Sequence, residues 1–156
     1  MKRILLASFN SKSLKETEWV TFIFFKFLEI LFEKFNQIFV FLSGPFGSGK
    51  TTFINFLIKH FGIKESARSP SFVILKIYQG KIKNSPLEIF HFDFYRIKKN
   101  KNIFDFALKQ KNGKRLILGE WGEKFEKTLK KSPKINIKID YGLKKNERLF
   151  KIYLCF

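Results

Sequence analysis

Eight consecutive residues, Gly44-Pro45-Phe46-Gly47-Ser48-Gly49-Lys50-Thr51, restrict the fold of this chain more than any other segment. They follow the pattern G-x-x-x-x-G-K-[ST], which has meaning only between a strand and a helix. The flanks supply both. Ile38-Phe39-Val40-Phe41-Leu42 is an apolar β-type run, and Phe53, Ile54, Leu57 and Phe61 recur at helical spacing. Glycines let the main chain curl until its N–H groups point inward at phosphate oxygens. The following helix adds unpaired N–H groups and the positive end of its dipole. The segment predicts a cradle for a nucleoside triphosphate built from Phe46, Gly47, Ser48, Gly49, Lys50, Thr51 and Thr52. Lys50 is placed to reach the β- and γ-phosphates, and the Thr51 hydroxyl to ligate Mg²⁺.

The remaining composition fits a single domain over residues 1–156, with 45% hydrophobic residues and 22 phenylalanines to bury. The lone cysteine, Cys155, forbids an internal disulfide and reads as a packed thiol, which favours a cytoplasmic location. The apolar part of Met1 to Ala7 is too short for a signal peptide. Between Val20 and Phe35 the chain is very apolar yet carries Lys26, Glu29, Glu33 and Lys34, and Lys15, Glu18, Lys26, Glu29 and Glu33 line up as one polar stripe. Each such charge at mid-membrane costs about 2.5–3.5 kcal/mol, so the stretch is an amphipathic helix and no membrane span is expected.

A net charge of +18 invites a nucleic-acid reading. Only five of the 31 basic residues are arginine (Arg3, Arg68, Arg96, Arg115, Arg148), while Lys, Phe, Ile and Asn are enriched together, as A/T-rich coding would enforce. No aromatic-basic RNA motif stands out. Two readings stay open: a solvated lysine surface, or attraction to RNA or an acidic partner.

Along the chain, Arg3–Ser8 reads as a first strand. Ser13 and Glu16 have capping-box spacing and open a helix to about Phe35. The strand Ile38–Leu42 is expected at the centre of the sheet. The loop helix should stop at Gly62. Ser69-Pro70-Ser71 begins an extended segment, Phe72–Tyr78 a strand, Gly80–Pro86 a turn, and Leu87–Asp93 a further strand. Lys98–Asn102 reads as a charged connection, Asp105–Gln110 as a short helix, Arg115–Glu120 as a strand and Glu123–Lys131 as a helix. Lys134–Tyr141 and Glu147–Leu154 form a closing hairpin. The expected fold class is α/β: a P-loop NTPase-like three-layer fold with a mixed, mainly parallel central sheet.

A triphosphate site needs carboxylates at strand ends to serve Mg²⁺. Asp93 and Glu120 each close an apolar strand, and in open α/β sheets ligands gather beyond the carboxyl ends of strands. Asn100-Lys101-Asn102-Ile103 fails as a guanine motif at its last position. The arginine-rich lid of a small-molecule kinase is missing, so that activity is the alternative rather than the first reading.

Four segments resemble the bacterial TsaE (YjeE) family of ATPases. Gly47-Ser48-Gly49-Lys50-Thr51-Thr52 is similar to its L-G-A-G-K-T-T, and Ser69-Pro70-Ser71-Phe72 to its S-P-T-F. His91-Phe92-Asp93-Phe94-Tyr95-Arg96 is similar to H-F-D-L-Y-R, and Glu120-Trp121 to E-W. The resemblance implies an ATPase needed to form threonylcarbamoyladenosine in tRNA. Such a protein acts as an ATP-driven switch on the TsaD and TsaB proteins, reaches tRNA only through that complex, and hydrolyses ATP slowly alone. It implies that Lys50, Asp93 and Glu120 are catalytic, that Thr51 and Glu120 ligate Mg²⁺, and that Asp93 lies close to the phosphates. Ser71 would belong to a switch-like segment or cap a local turn. Trp121 would stack at the site or partner surface, or pack in the core; Tyr95 and Arg96 would organise the site or face a partner. His91 is expected to pack on the sheet rather than act as a base. Three positions depart from the family pattern: Pro45 where an acid is common, Phe46 for Leu, and Gly122 where proline usually follows the tryptophan.

Overall fold

The computed structural model describes residues 3–66, 75–95, 104, 113–122, 125 and 133–155. The expectations for Ser69–Phe72, Arg96, Lys98–Asn102, and the helices over 105–110 and 123–131 (Phe125 apart) lie outside the described residues. The described order is β1 (Arg3–Ser11), α1 (Leu14–Lys34), β2 (Gln37–Ser43), α2 (Lys50–His60), β3 (Leu75–Ile82), β4 (Ser85–Asp93), β5 (Lys114–Glu120), β6 (Lys134–Tyr141) and β7 (Arg148–Cys155).

Helix α1 begins as its sequence dictates: the Ser13 side chain accepts from the Glu16 N–H at 3.1 Å, and the Glu16 carboxylate accepts from the Lys12 N–H at 2.7 Å. Helix α2 ends in a full Schellman motif. Gly62, at φ 82°, donates to the Lys59 carbonyl and Ile63 to the Ile58 carbonyl.

The seven strands form one sheet in the order β1-β7-β6-β2-β5-β4-β3. The inner strands β6, β2, β5 and β4 run parallel, and β1/β7, β7/β6 and β3/β4 pair antiparallel. The mixed, mainly parallel α/β architecture is therefore the observed one. β2 lies at its centre, and all five residues Ile38–Leu42 are fully buried. Its period of two splits the core. Ile38, Val40 and Leu42 join the cluster under α1 and α2, with Phe24, Phe53, Leu57 and Leu118. Phe39 and Phe41 join the opposite cluster, with Phe90, Phe92, Phe94, Phe104 and Phe125.

One expectation fails. Gly80–Pro86 is not a turn: β3 continues through Ile82, and Lys83-Asn84 alone reverses the chain before Ser85 pairs with Ile82. Gly80 marks close approach instead, since a Cβ there would sit 2.9 Å from the Phe61 carbonyl oxygen. Pro86 is tolerated because β4 gains its second neighbour, β5, only from Leu87 onward. No helix among the described residues is long and apolar enough to cross a membrane.

Candidate functional site

The eight-residue loop leaves the carboxyl end of β2 and feeds α2, as its pattern requires. Gly44, Gly47 and Gly49 all have positive φ (137°, 74° and 100°). Gly44 is also pressed against β6, where a Cβ would overlap the Ile139 carbonyl oxygen. The Lys50 side chain folds back over the loop, donating to the carbonyls of Gly44 at 3.0 Å and Pro45 at 2.8 Å. Its ammonium stands 4.0 Å from the centre of the Trp121 ring, a cation–π contact. The Ser48 hydroxyl is buried without a partner, so the loop holds a polar atom that a ligand would satisfy. Thr52 follows, half-buried on α2, and Phe46 is exposed.

The parallel pairing of β4 with β5 sets Asp93 beside Glu120 at the same rim. Thr51 Oγ1 lies 3.0 Å from each oxygen of the Glu120 carboxylate and donates to it. A hydroxyl that gives away its proton keeps its lone pairs for a cation. His91 Nε2 stands 3.0 Å from Glu120 Oε1. Asp93 turns back to accept from the Tyr95 N–H at 2.9 Å. The structure thus joins Thr51, Glu120 and His91 in one contact network, with Lys50 on the adjoining loop against Trp121 and Asp93 beside Glu120 in register.

Burial pushes the Tyr78 phenol up to about 12, helped by Glu65 and Glu120, so it stays neutral behind His91. Among the described residues no group of three or more His, Cys, Asp or Glu could cage a metal. One hydroxyl and one carboxylate beside the glycine loop instead suit Mg²⁺, which takes few protein ligands and keeps waters in its shell.

A family model described as threonylcarbamoyl adenosine biosynthesis protein TsaE matches residues 12–149. The chain belongs to the TsaE family. It is 37% identical over 115 residues to the tRNA threonylcarbamoyladenosine biosynthesis protein TsaE of Rickettsia prowazekii, covering 73% of this chain and 76% of that one. The TsaE of Haemophilus influenzae is 31% identical over 121 residues, covering 74% and 72%. In structure the chain is similar to YdiB of Bacillus subtilis, with a TM-score of 0.67 at 22% identity, over 98% of this chain and 86% of that one.

Against the family pattern, Gly122 has a local cause. A Cβ at this position would run into the Phe41 ring, so the bulky residue on β2 leaves room only for glycine. Gly119 is constrained alike, by Phe94 and Phe41. Trp121 adopts φ 59°, donates its N–H to the Leu42 carbonyl at 2.9 Å, and lies with its ring 5.2 Å from that of Tyr95. Its ring therefore touches both the loop lysine and Tyr95.

Two further residues hold the loop from outside its motif. The Tyr141 hydroxyl donates to the Phe46 carbonyl, and Arg148 Nε donates to the Ser48 carbonyl at 3.1 Å. The Arg148 guanidinium also stacks 4.9 Å from the Tyr141 ring. The β6–β7 hairpin straps the loop from about 100 residues away, and no local pattern announces such contacts.

Proposed function

We propose that this chain is the ATP-binding and ATP-hydrolysing member of the machinery that forms threonylcarbamoyladenosine in tRNA, working as a switch on the TsaB and TsaD proteins in the cytoplasm. The observation that carries this reading is the meeting of Lys50, Thr51 and Glu120 at the glycine loop that opens α2. Main-chain N–H groups and the helix end attract the phosphates. Lys50 leaves the Gly44 and Pro45 carbonyls, which it holds at 3.0 and 2.8 Å, to take up phosphate oxygens. Thr51 and Glu120 would hold Mg²⁺, which would supply positive charge against the negative charge that grows on the phosphates. Asp93 stands beside Glu120 in register and, once its carboxylate leaves the Tyr95 N–H, would act near the phosphates in hydrolysis.

Switching follows from the same contacts. A nucleotide that claims Lys50 frees Trp121, which carries its cation–π contact, and with it the Tyr95 corner. As in other P-loop switches that an activating protein completes, a partner completes the site and hydrolysis by the chain alone is slow.

The test is ATP turnover by the chain alone and with TsaB and TsaD added, alongside modification of tRNA. Stimulation by the partners, lost in Lys50→Ala, is expected. Phosphoryl transfer to nucleosides or sugars with no response to the partners would replace this reading with a small-molecule kinase.

A further inference from the structure

His91 is one of only two histidines in the chain, and its side chain is wholly buried. It sits on β4 two residues before Asp93, so the period of two places both on one sheet face. Its Cα partner across the parallel pair is Leu118, which puts the imidazole one step behind Glu120 on β5. The Glu120 side chain is itself only 4% exposed. A carboxylate taken out of water to this extent needs donors on its oxygens. Thr51 supplies one to both oxygens, and His91 Nε2 stands 3.0 Å from Oε1.

We propose that His91 is a positioning residue: its Nε2–H donates to Glu120 Oε1 and aims the carboxylate at Thr51 and the metal side of the phosphate loop. This rests on the role given above to Glu120 as a Mg²⁺ acid. The proton assignment follows from chemistry. An ionised carboxylate only accepts, so the nitrogen facing it must carry hydrogen. Nδ1 is buried with no partner, and a bare acceptor there is cheaper than a stranded N–H. The ring plane is held by Tyr78, stacked at 6.4 Å with 23° between planes. Tyr78 in turn lies under the Lys76 ammonium at 5.0 Å, and Lys76 pairs with Glu65 at 3.3 Å. The orientation of Glu120 is thereby tied to the β3–β4 hairpin as well as to the loop. Outer partners of this kind typically change metal affinity by about 10–100-fold when removed.

The test is Mn²⁺ binding to the ADP-loaded protein, read by electron paramagnetic resonance, beside ADP affinity in the absence of metal. His91→Leu is expected to weaken Mn²⁺ about tenfold or more and to leave metal-free ADP affinity unchanged. His91→Gln, whose amide nitrogen falls near the place of Nε2, is expected to return Mn²⁺ affinity to within about threefold of the parent. In a Glu120→Gln background, His91→Leu should add nothing. Imidazole ¹⁵N shifts of the unaltered protein must show hydrogen on Nε2, a readout that stands even if His91→Leu does not fold. Parent-like Mn²⁺ affinity in a folded His91→Leu, an equal loss of metal-free ADP binding, or a bare Nε2 would each overturn the positioning role while leaving the ATPase reading intact. Failure of the unaltered protein to bind ADP and Mn²⁺ would remove both.

Discussion

The rim of the sheet at the phosphate loop and the sheet face under the two helices are both closed to water, by opposite chemistry. At the rim the buried groups are polar: Lys50 at 5% exposure, Glu120 at 3%, and Ser48 and His91 fully buried. They satisfy one another only in part, and the backbone around them holds four positive φ angles, at Gly44, Gly47, Gly49 and Trp121. Under the helices the buried groups are Val20, Phe24, Leu28, Phe32, Phe53 and Leu57, with strand residues beneath them. Buried charge and strain cost stability, whereas buried hydrocarbon supplies it. The rim is a site that the helix face stabilises, and the two should respond to mutation in opposite ways.

The largest effect belongs to the helix face. Phe24, 1% exposed and packed 5.7 Å from the Phe53 ring, is expected to cost about 3–5 kcal/mol when replaced by alanine. Urea unfolding should show the loss, and the fraction still folded should bind nucleotide with parent affinity. Weakened binding in that folded fraction would break the division between rim and face.

Lys50→Met inverts the pattern. Removing the cation should weaken nucleotide binding by about 100-fold, close to 3 kcal/mol, measured by titration calorimetry. Its thermal midpoint should equal or exceed that of the parent, because an almost buried ammonium is replaced by a hydrocarbon chain. A clear drop in the midpoint would mean that Lys50 is part of the scaffold.

The straps sharpen the boundary. Tyr141→Phe deletes one hydrogen bond to the Phe46 carbonyl and leaves the ring under Arg148. About 1 kcal/mol is expected, seen as roughly fivefold weaker nucleotide binding with little change in unfolding. Unchanged affinity would show that the loop needs no support from the hairpin.

What the sequence disclosed follows the same boundary between local and distant causes. The Gly44–Thr51 pattern, the Ser13 cap and the Gly62 stop are local, and each appears in the structure where its residues predict it. Asp93 and Glu120 were legible as strand ends, because an apolar run that ends on an acid marks its own rim. Tyr141, Arg148 and the Glu120 partner of His91 were not, since they depend on which strands are neighbours. Gly80–Pro86 misled for a related reason: glycine and proline there answer to the nearby Phe61 carbonyl and to the late start of the β5 pairing, not to a turn.

The smallest effect tests whether the helix face is as free of polar cost as its core suggests. His60, in the last turn of α2, lies with its ring 5.6 Å from Phe22 and 5.4 Å from Phe25 of α1. Its Nε2 is buried with no hydrogen-bond partner. Burial lowers its pKa below the usual 6.5; Glu18 opposes that shift and Lys26 adds to it. A depressed folded pKa makes the neutral ring the stabilising form. That contribution is complete above pH 6.5 and is lost as pH falls toward and through the folded value. The thermal midpoint should therefore decline shallowly from pH 7 toward pH 5, before most carboxylates titrate. His60→Leu fills the aromatic notch without a titrating group and should flatten that decline. Because His91 is retained in both proteins, the difference between the two pH profiles isolates His60 from the rim. Identical profiles would show that the α1–α2 contact admits water to the ring, and that the face and the rim differ less in polarity than their residues imply.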